Sequence, residues 1–128
     1  MQILKESKSH ILFPYNEGAL ISDSDLWSNI WLNQGEAQYP SKGCFSVFPN
    51  MICSQMLAYL WEDVGLYIGA HDSKRGPKEI ILRSDSENLT LGFRLFCGIG
   101  FGEGYLPDFP VVFTVTDSRW ESAAERYR

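Results

Sequence analysis

The feature that most constrains the fold is a repeating pattern of short apolar segments, each about six residues long, separated by polar turns. In Leu89–Leu95, apolar and polar residues alternate with the period of two that is typical of a strand with one buried face. Val111–Thr116 consists entirely of Val, Phe and Thr, which are residue types that favour strands. Strands of this length with short turns between them predict an antiparallel meander or sandwich.

The same criteria predict six further strands: His10–Phe13, Ala19–Ile21, Phe45–Phe48, Ser54–Trp61, Gly65–Ala70 and Lys78–Arg83. Ser54–Trp61 could be a helix by propensity, but its aromatic and apolar density favours a strand. We expect it to form a hairpin with Gly65–Ala70 across the Glu62-Asp63 turn. A second hairpin is expected to pair Gly65–Ala70 with Lys78–Arg83 across residues 72–77.

Two segments have helical spacing. Leu26, Ile30 and Trp31 allow a short helical turn. Residues 117–128 predict a helix, with Asp117 or Ser118 as its cap and Glu121 completing a capping box. One side of this helix would carry Trp120, Ala123, Ala124 and Tyr127. The expectation is therefore a single all-β domain over residues 1–128, an antiparallel β-sandwich with a short C-terminal helix.

Charge and composition restrict the partners. The chain has 11 Lys and Arg against 16 Asp and Glu, a net charge of −5 at pH 7, whereas binding to nucleic acid needs clustered cations. No apolar stretch is long enough for a membrane helix or a signal peptide, which predicts a cytoplasmic protein without a membrane partner. The three cysteines have no C-x-x-C spacing, so we expect no metal site, and nothing in the sequence indicates another cofactor.

The stretch with the most chemical character is Gly65–Glu79, in which His71 and Asp72 precede a basic turn and Lys78. His71 could exchange a proton at a sugar ring oxygen, as in a mutarotase-like site. Alternatively, Asp72 and Lys78 could hydrogen-bond sugar hydroxyls near an exposed aromatic side chain, with His71 as a further ligand contact. In a structural interpretation, which the sequence favours, Asp72 accepts backbone N–H groups in the turn and pairs with Lys74 or Lys78.

Three stretches together resemble a known family: Met51–Tyr59 (MICSQMLAY), Gly65–Lys78 (GLYIGAHDSKRGPK) and the W-x-x-A-A-x-x-Y-R segment Trp120–Arg128, with support from Leu12–Ile21 (LFPYNEGALI). In this order they resemble the N-terminal β-sandwich, a galactose-mutarotase-like supersandwich, of bacterial TIM-barrel proteins related to glycoside hydrolases. The resemblance implies that the catalytic carboxylates lie on a barrel absent from this chain. It therefore implies a non-catalytic accessory domain of a carbohydrate-active protein, truncated before the barrel.

Two other functions remain open. A free-standing sugar-binding module would present aromatics such as Trp27, Trp31 or Trp61. A small epimerase-like enzyme would have to use His71 and Glu103, since glycoside chemistry usually needs carboxylates around the sugar. Because a partial sandwich leaves open strand edges, and symmetric pairing is the commonest way to cover them, we also expect a homodimer or a higher homo-oligomer.

Overall fold

The structure, a computed structural model, describes residues 1–4, 8–14, 18–22, 43–49, 52–84, 88–96, 104 and 106–128. This part of the chain contains nine strands and one helix. The strands are β1 (Gln2–Leu4), β2 (His10–Phe13), β3 (Ala19–Ser22), β4 (Gly43–Phe48), β5 (Met56–Trp61), β6 (Val64–Ala70), β7 (Lys78–Ser84), β8 (Asn88–Leu95) and β9 (Val111–Thr116). The helix, α1, spans Trp120–Tyr127.

The strands form two antiparallel sheets. The smaller sheet has four strands in the order β1-β8-β7-β4, and the larger sheet has five in the order β3-β2-β5-β6-β9. Every neighbouring pair in both sheets is antiparallel. The predicted all-β class with a short C-terminal helix is confirmed.

The main core lies between the two sheets. Its buried side chains come from alternate positions of both, among them Ile11, Leu57 and Ile68 of the larger sheet and Ile80, Leu82 and Leu91 of the smaller one. Burial of this kind removes apolar surface from water, at about 25 cal/mol for each Å². It fixes the register, because a slip by one residue would turn each strand's apolar set away from the core.

The helix covers the outer face of the larger sheet. Ala123 is fully buried there, and it packs in a second cluster with Met56, Ala58, Leu60 and Tyr67. β5 is therefore apolar on both faces, one against the smaller sheet and the other against α1. This double burial explains why its sequence is a continuous apolar run rather than a clean alternation.

The predicted cap of the helix is wrong. The N-cap residue is Arg119, which makes no side-chain capping bond. The Asp117 carboxylate instead accepts hydrogen bonds from the Arg119 backbone N–H at 3.1 Å and from its guanidinium Nη2 at 2.9 Å. Ser118 and Glu121 form no capping box, because the helix starts two residues after Ser118 rather than directly after it.

The β5–β6 hairpin is confirmed. Trp61 pairs with Val64, so Glu62 and Asp63 form a two-residue turn. Glu62 has a φ of 46°, the left-handed conformation that such tight hairpin turns use.

The second predicted hairpin is wrong. β6 pairs with β5 and β9, whereas β7 pairs with β4 and β8. Residues 71–77 therefore cross from the larger sheet to the smaller one. Both edges of β6 are already occupied, and β7 reaches the core from the opposite side with Ile80 and Leu82.

Several predictions concern residues outside the described part of the chain. These are the helical turn at residues 26–31, the aromatics Trp27 and Trp31 within it, and the candidate Glu103. In the part that is described, no helix has the length and apolar character needed to cross a membrane.

Candidate functional site

His71 lies directly after β6 and beneath the end of α1. Alternation along β6 places Tyr67, Gly69 and His71 on the face that carries the helix. The Tyr67 hydroxyl is 2.9 Å from His71 Nε2. Gly69 makes this contact possible, because a Cβ at that position would lie only 2.1 Å from the Tyr67 hydroxyl oxygen.

The Tyr67 hydroxyl is held in its neutral form. Burial raises its pKa, and the neighbouring Tyr127 adds to the effect, so that the value reaches about 12. Ionisation would place a phenolate between apolar side chains and a second phenol, where water cannot stabilise it. Tyr67 therefore serves as a neutral hydrogen-bonding partner of His71.

Tyr127 joins the end of the helix to the sheet. Its ring centre is 5.9 Å from that of His71. Its hydroxyl accepts hydrogen bonds from Gln55, at 3.2 Å from the backbone N–H and 3.3 Å from Nε2. Gln55 Nε2 also donates to the Asp72 carbonyl oxygen at 2.9 Å. The helix, the start of β5 and the crossover at residues 71–77 are thus connected by one polar network.

Asp72 and Lys78 form a buried ion pair, with 6% and 2% of their side chains exposed. Asp72 Oδ1 accepts the Lys74 backbone N–H at 2.9 Å, and Oδ2 accepts the Gly76 N–H at 2.8 Å as well as the Lys78 ammonium. Lys78 Nζ donates to the Gly76 carbonyl at 2.7 Å and lies 4.7 Å from the centre of the Phe109 ring. The structural interpretation of Asp72 is therefore confirmed.

These contacts determine the charge state of Asp72. Burial alone would raise the pKa of its carboxyl. The bond from Lys78 and the backbone N–H groups of Gly76 and Lys74 outweigh burial and lower that pKa below its ordinary value. Asp72 is therefore an ionised group with both oxygens engaged inside the protein. A role for His71, Asp72 or Lys78 as sugar ligands remains a prediction, and for Asp72 and Lys78 it would require this ion pair to open.

A cleft of about 450 Å³ opens at the other end of α1. Leu20 and Leu60 contribute its apolar residues, and Trp61 and Trp120 its aromatic ones. Polar groups come from His10, Glu62, Arg119 and Glu121, with Lys8 and Ser118 completing the lining. Trp120 is 49% exposed, which leaves much of its side chain accessible to a ligand.

The sheet register and the hairpin bring these residues together. His10 of β2 lies opposite Leu60 of β5, on the face that carries α1. The Trp61-Glu62 end of the hairpin follows directly, and α1 begins beside it with Trp120. The Arg119 guanidinium is fixed by Asp117 and by a 3.1 Å bond to the Ser122 hydroxyl. The cleft thus combines two cationic side chains, two carboxylates and an imidazole with apolar and aromatic surface.

Sequence reasoning predicted only part of this cleft. Trp61 was among the aromatics expected to meet a ligand, and it lines the cleft while its ring lies 5.0 Å from that of Tyr59. Trp120 was assigned to the apolar side of the helix, although its charged neighbours Arg119 and Glu121 indicate a position at the boundary with solvent. The sequence indicates His10 only as the first residue of a strand. Trp27, Trp31 and Glu103 lie outside the described residues.

The described residues contain no group of three or more His, Cys, Asp and Glu side chains that could hold a metal ion. The chain thus has an all-β fold of two antiparallel sheets, with a helix and an aromatic cleft on the outer face of the larger sheet. No family model, curated protein or solved structure matches it. The relationship to glycoside-hydrolase-associated sandwiches therefore remains a prediction from the sequence.

Proposed function

We propose that this chain is a non-catalytic carbohydrate-binding domain, an accessory β-sandwich of a glycoside-hydrolase-like protein. The proposal is carried by one observation, the half-exposed Trp120 at a cleft whose walls also present Glu62, Glu121 and Arg119. The volume of the cleft, about 450 Å³, falls within the range of sites that bind small ligands.

The composition of the cleft suits a sugar because a pyranose has two kinds of surface. The C–H groups of one ring face are apolar and pack against an indole, which offers a large and rigid contact area. The hydroxyls at the ring edge need donors and acceptors, which Glu62, Glu121, Arg119 and His10 can provide. A purely apolar ligand would leave these polar groups unpaired, at a cost in free energy.

A binding role without catalysis is supported by the contacts of His71, the described residue that the sequence offers for proton transfer, and of its neighbour Asp72. His71 Nε2 is within hydrogen-bonding distance of the Tyr67 hydroxyl. The Asp72 carboxylate pairs with the Lys78 ammonium and accepts hydrogen bonds from two backbone N–H groups. In this role Glu62 and Glu121 act as hydrogen-bond acceptors for hydroxyls.

The proposal is tested by isothermal titration calorimetry with a panel of neutral oligosaccharides that differ in linkage and in hydroxyl configuration. For a sugar that binds, we expect Trp120→Ala to weaken binding by about tenfold or more, equivalent to about 1.4 kcal/mol. Phe96→Ala is the matched control, since Phe96 is 50% exposed and does not line the cleft. Absence of binding across the panel, or equal binding by Trp120→Ala and the wild type, would contradict the proposal.

A second measurement separates binding from catalysis. The wild-type protein is incubated with the sugars that bind, and with aryl glycosides of the same sugars, and released product is quantified. We expect no turnover. Turnover that disappears in both Glu62→Gln and Glu121→Gln would instead make the cleft a glycosidase site, because such enzymes use a carboxylate pair.

A further inference from the structure

We propose that the outer edge of β9 is a dimer interface, at which the strand pairs antiparallel with β9 of a second copy. The two larger sheets would then join into one continuous sheet across a two-fold axis at Phe113. This interface is independent of the proposed sugar cleft, since none of the cleft residues belongs to β9.

Every second residue of β9 directs its backbone N–H and C=O groups away from β6. Within the described chain, β9 pairs with β6 alone and lies at the end of the larger sheet. The His71 N–H donates to the Pro110 carbonyl at 3.0 Å, so residue 110 presents its hydrogen-bonding group to β6. Because residues of an antiparallel strand alternate in this respect, 112, 114 and 116 also face β6, and Val111, Phe113 and Val115 direct their N–H and C=O groups outward.

The sequence of β9 is also self-complementary about Phe113. Around Phe113, the strand reads Val111-Val112-Phe113-Thr114-Val115. Val111 and Val115, two positions to either side of Phe113, are identical. Val112 and Thr114, one position to either side, have the same branched shape. A two-fold axis at Phe113 therefore sets Val111 against Val115 of the second copy and Phe113 against its own equivalent.

The backbone directions and the symmetry of the sequence indicate the same register for the paired strands. The three residues whose backbone groups point outward are the ones that would form hydrogen-bonded pairs about this axis, two bonds to a pair, or about six in total. An isologous interface requires this kind of match between a surface and itself.

The edge strand β9 exposes apolar side chains and contains no charged residue that would hinder pairing with another strand. Phe113 and Val115 are 53% and 66% exposed, although their side chains point to the same side of the sheet as the core residue Ile68. Unpaired edges are usually blocked by charged residues or proline, and β9 contains neither. The helix packs mainly on β5 and β6, which lie inward of this edge of the sheet.

The experiment combines sedimentation velocity with hydrogen exchange measured by NMR on the wild-type protein. We expect a dimer in which the amides of Val111, Phe113 and Val115 are protected as strongly as those of Val112 and Thr114. On dilution to the monomer, the three outward amides should lose protection while the two inward ones keep it. A wild-type protein that stays monomeric at high micromolar concentration, or a dimer whose outward amides exchange rapidly, would overturn the proposal.

A pair of variants provides a second test. Phe113→Lys places a charge at the two-fold axis and should shift the dimer dissociation constant upward by about a hundredfold or more. Leu106→Lys adds the same charge at a side chain that is 90% exposed and outside the strand, and it should leave the dimer intact. Equal dimerisation by both variants, with unchanged circular dichroism, would refute the register proposed here.

Discussion

Asp72→Asn tests the buried ion pair that fixes the crossover between the two sheets. The substitution keeps the shape of the side chain but removes its charge. The amide has a single acceptor oxygen, whereas the carboxylate uses both of its oxygens to accept from Lys74, Gly76 and Lys78. The Lys78 ammonium would remain buried without a countercharge, and within the described chain only neutral oxygens such as the Gly76 carbonyl, at 2.7 Å in the wild type, could accept from it.

The cost follows from the burial of both partners. Removing one member of a buried pair typically destabilises a protein by about 3–5 kcal/mol, because it leaves an uncompensated charge away from water. Domains of this size have a total stability of about 5–15 kcal/mol, so the loss would be a large fraction of the whole. Lys78→Met together with Asp72→Asn should recover much of it, since a thioether chain suits the space beside the Phe48 and Phe109 rings.

The assay is urea unfolding followed by tryptophan fluorescence, with both single variants and the double variant forming a thermodynamic cycle. We expect a coupling energy of about 2 kcal/mol or more between the two side chains. The matched control is Lys74→Met, which breaks the exposed pair with Asp108 and should leave the midpoint almost unchanged. A loss below about 1 kcal/mol in Asp72→Asn would show that the pair contributes no more than a surface ion pair, which would contradict a stabilising role for its burial.

The same ion pair predicts a dependence on pH. The contacts of Asp72 lower its pKa in the folded protein below that in the unfolded chain. Its stabilisation is therefore fully present above the unfolded pKa and is lost as the pH falls through the folded pKa. Unfolding measurements in acid should therefore show a steeper loss of stability for the wild type than for Asp72→Asn. Parallel curves would contradict the assignment.

Two further predictions concern Tyr67. Gly69→Ala should destabilise the domain by about 1–3 kcal/mol in urea unfolding, since the new Cβ would lie 2.1 Å from the Tyr67 hydroxyl. Gly92→Ala should cost less, because the nearest atom to its new Cβ would be the Met1 backbone nitrogen at 4.0 Å, an ordinary contact distance; equal losses would contradict a steric cause. Because the pKa of Tyr67 is raised on folding, the stabilisation linked to its proton is complete below the unfolded pKa of 10.0 and is lost as the pH rises toward about 12. Tyr67→Phe should therefore flatten the alkaline part of the curve of stability against pH, and an unchanged slope would contradict this role of the Tyr67 proton.

Most strands could be predicted from the sequence because their signal is local. The alternation in β8, and the Val, Phe and Thr content of β9, depend on the residues of each segment and reproduce the observed bounds to within one residue. β1 was missed, since three residues are too short to show a period. The start of α1 was misplaced because Asp117 can accept the same N–H groups in a turn as in a cap.

The pairing of β6 and β7 could not be predicted in the same way. A short polar connection is compatible with a hairpin and with a crossover between sheets, and the choice depends on whether β6 already has neighbours on both edges. β9, which occupies the second edge, lies about forty residues further along the chain. The cleft depends on the same long-range pairing, which is why His10 and Trp120 were not associated with each other from sequence.

The proposed function depends on a sugar binding at the Trp120 end of the helix. The most direct measurement is an NMR titration of the ¹⁵N-labelled protein with an oligosaccharide that binds in calorimetry. We expect the largest shifts at the indole N–H signals of Trp120 and Trp61 and at the amides of Glu62 and Glu121, with little change at His71. Shifts centred on His71 and Asp72, with those of Trp120 unaffected, would contradict this expectation.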